Sequence, residues 1–160
     1  MRKTFFSFHF GRDAWRAGQI RNSGMLIGEK SGFLDKAEWE KVKLKGETAI
    51  TRWIDEQLSG TSVTVILIGK ETSQRKYVDY EIKKSYEKGN GMFGIYINNV
   101  KDQFGYTDLK GKSPFENYFI EQNGRKINLS EIYPTYDWVY DSGRENLGSW
   151  IEKAAQKAGR

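Results

Sequence analysis

The chain predicts an α/β fold, a mostly parallel sheet with helices on both faces, and three observations carry that prediction. Apolar residues recur at helical spacing over 36–58, 74–88 and 144–158. Between the first two lies Ser62-Val-Thr-Val-Ile-Leu-Ile-Gly69, a nearly continuous β-branched run typical of a strand buried on both faces. Strand-like and helix-like segments also alternate along the chain, which implies parallel pairing through right-handed crossovers. For 160 residues this suggests one three-layer, flavodoxin-like domain, 1–160, around a central five-stranded sheet.

The first element, Lys3-Thr-Phe-Phe-Ser-Phe-His-Phe10, sets Phe6, Phe8 and Phe10 on one side and Phe5, Ser7 and His9 on the other, a strand pattern. Asp13-Ala-Trp-Arg-Ala-Gly-Gln-Ile-Arg-Asn22 follows as a helix weakened by Gly18. A glycine-rich loop covers 23–32, and Gly32-Phe-Leu-Asp35 reads as a very short strand. Helix is predicted over 36–58 with a break at Gly46. Ala49, Ile50, Trp53, Ile54 and Leu58 form its stripe, and Ser59-Gly60 ends it. After the strong strand, 74–88 is helical on Val78, Ile82 and Tyr86, and Gly89-Asn90-Gly91 stops it. Met92-Phe-Gly-Ile-Tyr-Ile97 is the next strand. The pattern then degrades, so 98–134 reads as an irregular insertion with an edge strand near 117–121. A closing helix over 144–158 rests on Leu147, Trp150, Ile151 and Ala154.

Composition narrows the function classes. There is no cysteine, which excludes a disulfide scaffold, a thiol nucleophile and Cys-ligated zinc. The single histidine, His9, excludes a multi-histidine metal site, and no metal is expected. With 38% hydrophobic and 14% aromatic residues, the chain is too apolar to be disordered. No stretch approaches the ~20 apolar residues of a membrane span. Met1-Arg2-Lys3 leads into Ser7, His9, Arg12 and Asp13 rather than an apolar signal segment. A soluble, cytoplasmic domain is expected. The net charge of +5 raises nucleic-acid binding, whose footprint is Lys and Arg clustered on one face. Acids are interleaved instead, as in Glu38-Trp-Glu-Lys41, and no run of four basic residues occurs. Nucleic acid is therefore not the expected partner, and the positive excess favours approach of an anionic ligand.

In such folds ligands bind beyond the C-terminal ends of the strands, where strand order reverses. That directs attention to the segments after Phe10, Ile68 and Ile97. The first, Phe8-His-Phe-Gly-Arg-Asp13, carries neither a dinucleotide fingerprint nor a P-loop. Asp13 fits a helix cap, and His9 fits either a structural neighbour of the loop or a general base. The second offers Ser73 or Thr72 as a cap. It also places Tyr77 and Glu81 at i, i+4 on a stripe beside the buried Val78 and Ile82. A carboxylate at the rim of an apolar face is partly desolvated, which raises its pKa. A ring one turn earlier can stack a planar base. The competing reading is a solvated Glu81 paired with Lys84 or Ser85. The residues alone reach a ligand-binding α/β domain.

Four blocks in order carry a closer resemblance: Phe5-Phe-Ser-Phe-His-Phe10; Gly32-Phe-Leu-Asp35 with Trp39-Glu40; Thr61-Ser-Val-Thr-Val-Ile-Leu-Ile-Gly69; and Arg75-Lys-Tyr-Val-Asp-Tyr-Glu-Ile82. Over about 3–98 they resemble the TIR domain, more narrowly the TIR-like branch containing the ThsB proteins of the bacterial Thoeris anti-phage system. Tyr136-Asp-Trp-Val-Tyr140 before the last helix also fits.

The resemblance implies an NAD+-consuming enzyme that cleaves the nicotinamide–ribose bond and makes a cyclic ADP-ribose-type signal for an effector protein. NAD+ is then the substrate, and no cofactor is implied. The family's aromatic-x-x-x-Glu motif matches Tyr77-Val-Asp-Tyr-Glu81, so Glu81 takes the catalytic role, and Tyr77 stands where Trp is usual. The segment Ser7 to Asp13 matches the lining of the nicotinamide-ribose pocket. Phe6, Ser7, Phe8, His9, Asp13, Ser73 and Tyr77 are accordingly the candidate substrate contacts. The loop over 23–34 matches the one family members use for self-association and for covering the site, which implies a homo-oligomer on activation. The departures at Tyr77 and in that loop leave open a non-catalytic TIR-like interaction module.

Overall fold

The structure, a computed structural model, describes residues 2–23 and 36–160. Along the chain run β1 (Thr4–Ser7), α1 (Phe10–Arg21), α2 (Lys36–Leu44), α3 (Glu47–Leu58), β2 (Val63–Ile68), α4 (Lys76–Lys88) and β3 (Gly91–Tyr96). β4 (Phe119–Gln122), β5 (Arg125–Asn128), β6 (Thr135–Asp137) and α5 (Gly143–Lys157) complete it. The main sheet has the order β1-β2-β3-β6 and every pairing in it is parallel. Its register sets Ser7 beside Ile66, Ile68 beside Tyr96, and Tyr96 beside Asp137.

Helices cover both faces, as predicted. On one, α1 and α5 bring Ala17, Ile20, Leu147, Trp150 and Ile151 onto Phe6, Val63, Val65, Leu67, Phe93 and Ile95. On the other, Val78 and Ile82 of α4 meet Ile66, Ile68 and Met92, while α3 packs Ile50, Ile54 and Leu58 around Phe5. All six side chains of β2 are buried, which explains its nearly continuous apolar run. Burying one such side chain is worth about 1.5–3 kcal/mol.

The sheet differs from expectation by one strand. Four strands form it among the described residues, and the segment Gly32-Phe-Leu-Asp35 lies outside them, as does most of the 23–34 loop. The edge strand expected near 117–121 forms as β4 but pairs antiparallel with β5 in a separate hairpin. The irregular reading of 98–134 overlooks Asn123-Gly124. Both residues take positive φ, 54° and 74°, in the two-residue turn that closes this hairpin. β6 is the unforeseen fourth strand.

Two boundaries also move. Helix α1 starts at Phe10, so the alternation of the first strand stops short. His9 holds the N-cap position, its carbonyl accepting from Asp13 N–H at 2.8 Å, and Asp13 is inside the first turn rather than a cap. Neither Thr72 nor Ser73 caps α4. Arg75 occupies that position without a side-chain bond, and Thr72 Oγ1 accepts from Gly69 N–H at 2.8 Å. The break at Gly46 (φ 97°) and the left-handed Gly89 stop of α4 are where the glycines put them.

Candidate functional site

β1 leads into α1 on one face of the sheet, and β2 leads into α4 on the other. The chain therefore diverges at the carboxyl ends of two neighbouring strands and leaves a crevice between them. Helices α2 and α3 wall the crevice. The cavity is about 440 Å³, and its lining includes Phe8, His9, Phe10, Trp39, Trp53, Arg75, Tyr77 and Glu81.

Helix α4 must present Glu81 inward, because Val78, Ile82 and Ser85 share its buried face. Ser85 Oγ lies 2.7 Å from Thr64 Oγ1 of β2. One turn earlier Glu81 reaches β1, where Ser7 Oγ donates to Glu81 Oε1 at 2.8 Å. Two bonds to two strands thus set the rotation of α4 about its axis. Glu81 is 5% exposed. Burial pushes its carboxyl up to about 8, and the bond from Ser7 opposes that rise by favouring the carboxylate. The alternative partners are engaged elsewhere: Lys84 pairs with Glu87 at 3.5 Å, and Ser85 with Thr64.

An aromatic wall faces this carboxylate. Phe10 stacks on Trp39 with centroids 5.0 Å apart and planes 14° from parallel. Trp39 also meets Trp53 at 5.6 Å and the edge of Tyr77 at 5.9 Å. Phe8 packs against Phe10 at 4.3 Å. Such a surface accepts a planar ring, while the buried acid supplies the only carboxylate at its floor among the described lining residues that is shielded from water. His9 sits at the mouth of α1. Burial first, and then the Arg75 guanidinium, push its pKa below the usual value, so the ring is neutral near pH 7.

Of the residues singled out from sequence, Phe8, His9, Tyr77 and Glu81 line the cavity, and Ser7 touches it through Glu81. Ser7 itself is not in the lining, and three others lie away from it. Phe6 is buried in the core beneath α1 and α5, behind Ser7. The Ser73 carbonyl accepts from Asn117 Nδ2 at 3.0 Å, away from the aromatic wall. Asp13 is 1% exposed, and both its carboxylate oxygens lack a partner among the described residues. Burial pushes it up to about 6 against the pull of Arg12 and Arg16. It lies against the segment after β2, where a Cβ on Gly69 would stand 2.2 Å from Asp13 Oδ2.

Sequence reasoning reached Phe10 only as part of the segment Ser7 to Asp13, and it did not assign Trp39, Trp53 or Arg75 to the site. Trp39 and Trp53 belong to amphipathic helices and reach the cavity only through the tertiary packing of α2 on α3. Phe10 shows as one more alternating aromatic until α1 starts on it.

Among the described residues no helix is long and apolar enough to cross a membrane. The family described as "Thoeris protein ThsB, TIR-like domain" matches residues 5–102, a span that includes Ser7, Trp39, Tyr77 and Glu81. A protein of Bacillus cereus strain MSX-D12 named "Putative cyclic ADP-D-ribose synthase ThsB1" is 33% identical over 190 residues, covering 94% of this chain and 98% of that protein. With its parallel sheet, its cleft at the ends of β1 and β2 and these matches, the chain belongs to the ThsB family of TIR-like Thoeris proteins.

Proposed function

We propose that this protein consumes NAD+ at the Glu81 cleft, releasing nicotinamide and a cyclic ADP-ribose-type signal. The observation that carries the reading is the buried Glu81 carboxyl, held by Ser7 opposite an aromatic wall, in a chain of this family. The similarity to a protein named for cyclic ADP-D-ribose synthesis supports the product class.

The chemistry suits one carboxylate. The bond between the nicotinamide nitrogen and ribose C1′ breaks, and its electron pair returns to the pyridinium ring, which leaves neutral. No general acid is needed. Positive charge develops on the ribose as in an oxocarbenium ion, and an ionised Glu81 stabilises it electrostatically. Burial alone favours the neutral acid at pH 7. A bound cationic ring favours the carboxylate and draws the pKa back down. An internal nucleophile of the ADP-ribose then attacks C1′ and gives up its proton to solvent. The aromatic wall favours this outcome over hydrolysis by keeping water from the ribose. Tyr77 and Trp39 hold planar parts of the dinucleotide, and Ser7 keeps Glu81 oriented. The signal diffuses to an effector protein in the cytoplasm, and activation includes self-association.

The test is to express wild type and Glu81→Gln in bacteria, challenge both with phage, and follow NAD+ and ADP-ribose isomers in lysates by mass spectrometry. A new isomer with wild type alone is expected. Unchanged nucleotide pools for both under several phages, with both proteins folded, would replace the enzyme by a non-catalytic interaction module.

A further inference from the structure

A second cavity, about 700 Å³ and larger than the Glu81 cleft, opens at the other end of the sheet between α4, α5 and the segment leading into β6. Its floor is an interrupted ladder. Gly91 N–H bonds to Ser62 and Ile97 N–H to Ile68, so the odd-numbered residues of β3 face β2. Gly94 N–H bonds to Pro134, and Trp138 N–H bonds to the Tyr96 carbonyl, so the even-numbered residues face β6. By this two-residue period the backbone N–H and carbonyl of Met92 also point to the β6 side. There the pairing starts only at Gly94 with Thr135. The residue that would extend it is Pro134, which has no N–H to give. Met92 lines the cavity instead, with no residue of β6 paired opposite it.

The walls are aromatic and cationic. Tyr86, Tyr133, Tyr136 and Trp150 line the space, with Tyr136 stacked on Trp150 at 4.1 Å. Lys153 and Lys157, one turn apart on α5, stand together on one side. Lys157 Nζ donates to the Ile132 carbonyl at 3.1 Å, which leaves donors to spare. Neither lysine has a carboxylate partner among the described residues. Two acids also line it, Glu131 accepting from Asn128 N–H at 2.9 Å and Glu87 pairing with Lys84, and neither forms an ion pair with a lysine of α5 among the described residues. The α5 wall itself is therefore positive. The stretch of β3 left unpaired is too short to hold an extended peptide, since the ladder is already closed at Gly94. The volume falls within the range of small-molecule sites.

We propose that this cavity is a second ligand site that takes an anionic, planar nitrogen heteroaromatic of the nucleotide class. The ring edge pairs with the Met92 backbone, the ring body lies among Tyr133, Tyr136 and Trp150, and the phosphate meets Lys153 and Lys157. The site does not depend on the reaction proposed for the Glu81 cleft.

The probe is adenosine 5′-monophosphate, titrated into 15N-labelled Glu81→Gln protein so that binding is read without turnover. Saturable shifts of the Met92 amide and the Trp150 indole N–H are expected. Adenosine and inorganic phosphate should each bind at least tenfold more weakly. The double variant Lys153→Glu/Lys157→Glu should lose at least tenfold in affinity, with thermal unfolding and the Tyr77 amide unchanged. Any of three results overturns the site: shifts confined to Tyr77 and its neighbours, affinity equal in the charge-reversed variant, or a Met92 amide that responds to an extended peptide and not to the nucleotide.

Discussion

Ser7 Oγ on β1 donates a 2.8 Å hydrogen bond to Glu81 Oε1 on α4, joining residues 74 positions apart. A donor of this kind favours the ionised acid, and a hydrogen bond to a charged group is worth roughly 1.5–3 kcal/mol. Ser7→Ala should therefore push the Glu81 carboxyl above its present value of about 8. The rising limb of NAD+ turnover against pH should move up by about one unit, since a unit corresponds to roughly 1.4 kcal/mol. Turnover at pH 7 should fall about tenfold, and Ser7→Thr should restore most of it. A pH profile that stays in place would remove Ser7 from the electrostatics of the site.

Glu81 also leaves a mark on stability. Its carboxyl is raised from 4.5 to about 8 in the folded protein. Between those values the native state holds a proton that the unfolded chain has released, so stability falls as pH rises. The contribution is whole below about 4.5 and gone above about 8. Glu81→Gln cannot ionise and escapes this loss. Urea unfolding should show wild type weakening against the variant from pH 5 to pH 9, by an amount on the order of 3 kcal/mol. Parallel curves across that range would mean that Glu81 is solvated in the folded protein.

The aromatic wall predicts a split in kinetic constants. Trp39 contacts Phe10, Trp53 and Tyr77, whereas Tyr77 meets Trp39 alone among the ring–ring contacts described. Stacking a base on such a ring is worth roughly 1–3 kcal/mol. Tyr77→Ala should raise the KM for NAD+ about tenfold with little change in kcat, and Tyr77→Trp should leave KM the same or lower it. Trp39→Ala should raise KM similarly and also lower the melting temperature by a few degrees. Steady-state kinetics and calorimetry separate the two.

Asp13 and Gly69 are coupled by contact. A Cβ at residue 69 would stand 2.2 Å from Asp13 Oδ2, with nowhere for the buried carboxylate to retreat. Gly69→Ala should destabilise the protein by about 1–3 kcal/mol, the usual cost of overpacking. Asp13→Ala should relieve most of that penalty, giving a coupling energy of at least about 1 kcal/mol in a double-mutant cycle. Additive effects would show that the clash is absorbed elsewhere.

The parts of the fold legible in sequence are those that one element specifies alone. β2 announces itself because all its side chains are buried; Gly46 marks the break before α3 and Gly89 ends α4, each through its own positive φ. β6 has no such signature. Thr135, Tyr136 and Asp137 form a strand because β3 offers them an edge, and Gly94 admits Thr135 there, a Cβ on it lying within 3.1 Å of Thr135 Cγ2. The site divides the same way. Tyr77 and Glu81 are one helical turn apart on one helix and could be paired from spacing. Trp39 meets them only because α2 and α3 close over the end of β1, and no local pattern encodes that. Asp13 resembles a cap in sequence, and its burial against Gly69 appears only in three dimensions.

The β4–β5 hairpin has a practical consequence. Its tip, Asn123-Gly124, is exposed and both residues already take left-handed backbone conformations. The two strands bond to each other and to neither edge of the main sheet. Foreign sequence carried there would lengthen a ribbon without moving a strand of the sheet. A fluorescent reporter or affinity handle spliced between Asn123 and Gly124 would leave Ser7, Glu81 and the lysines of α5 in place, and would allow the protein to be followed in infected cells with the Glu81 cleft and the α5 cavity intact.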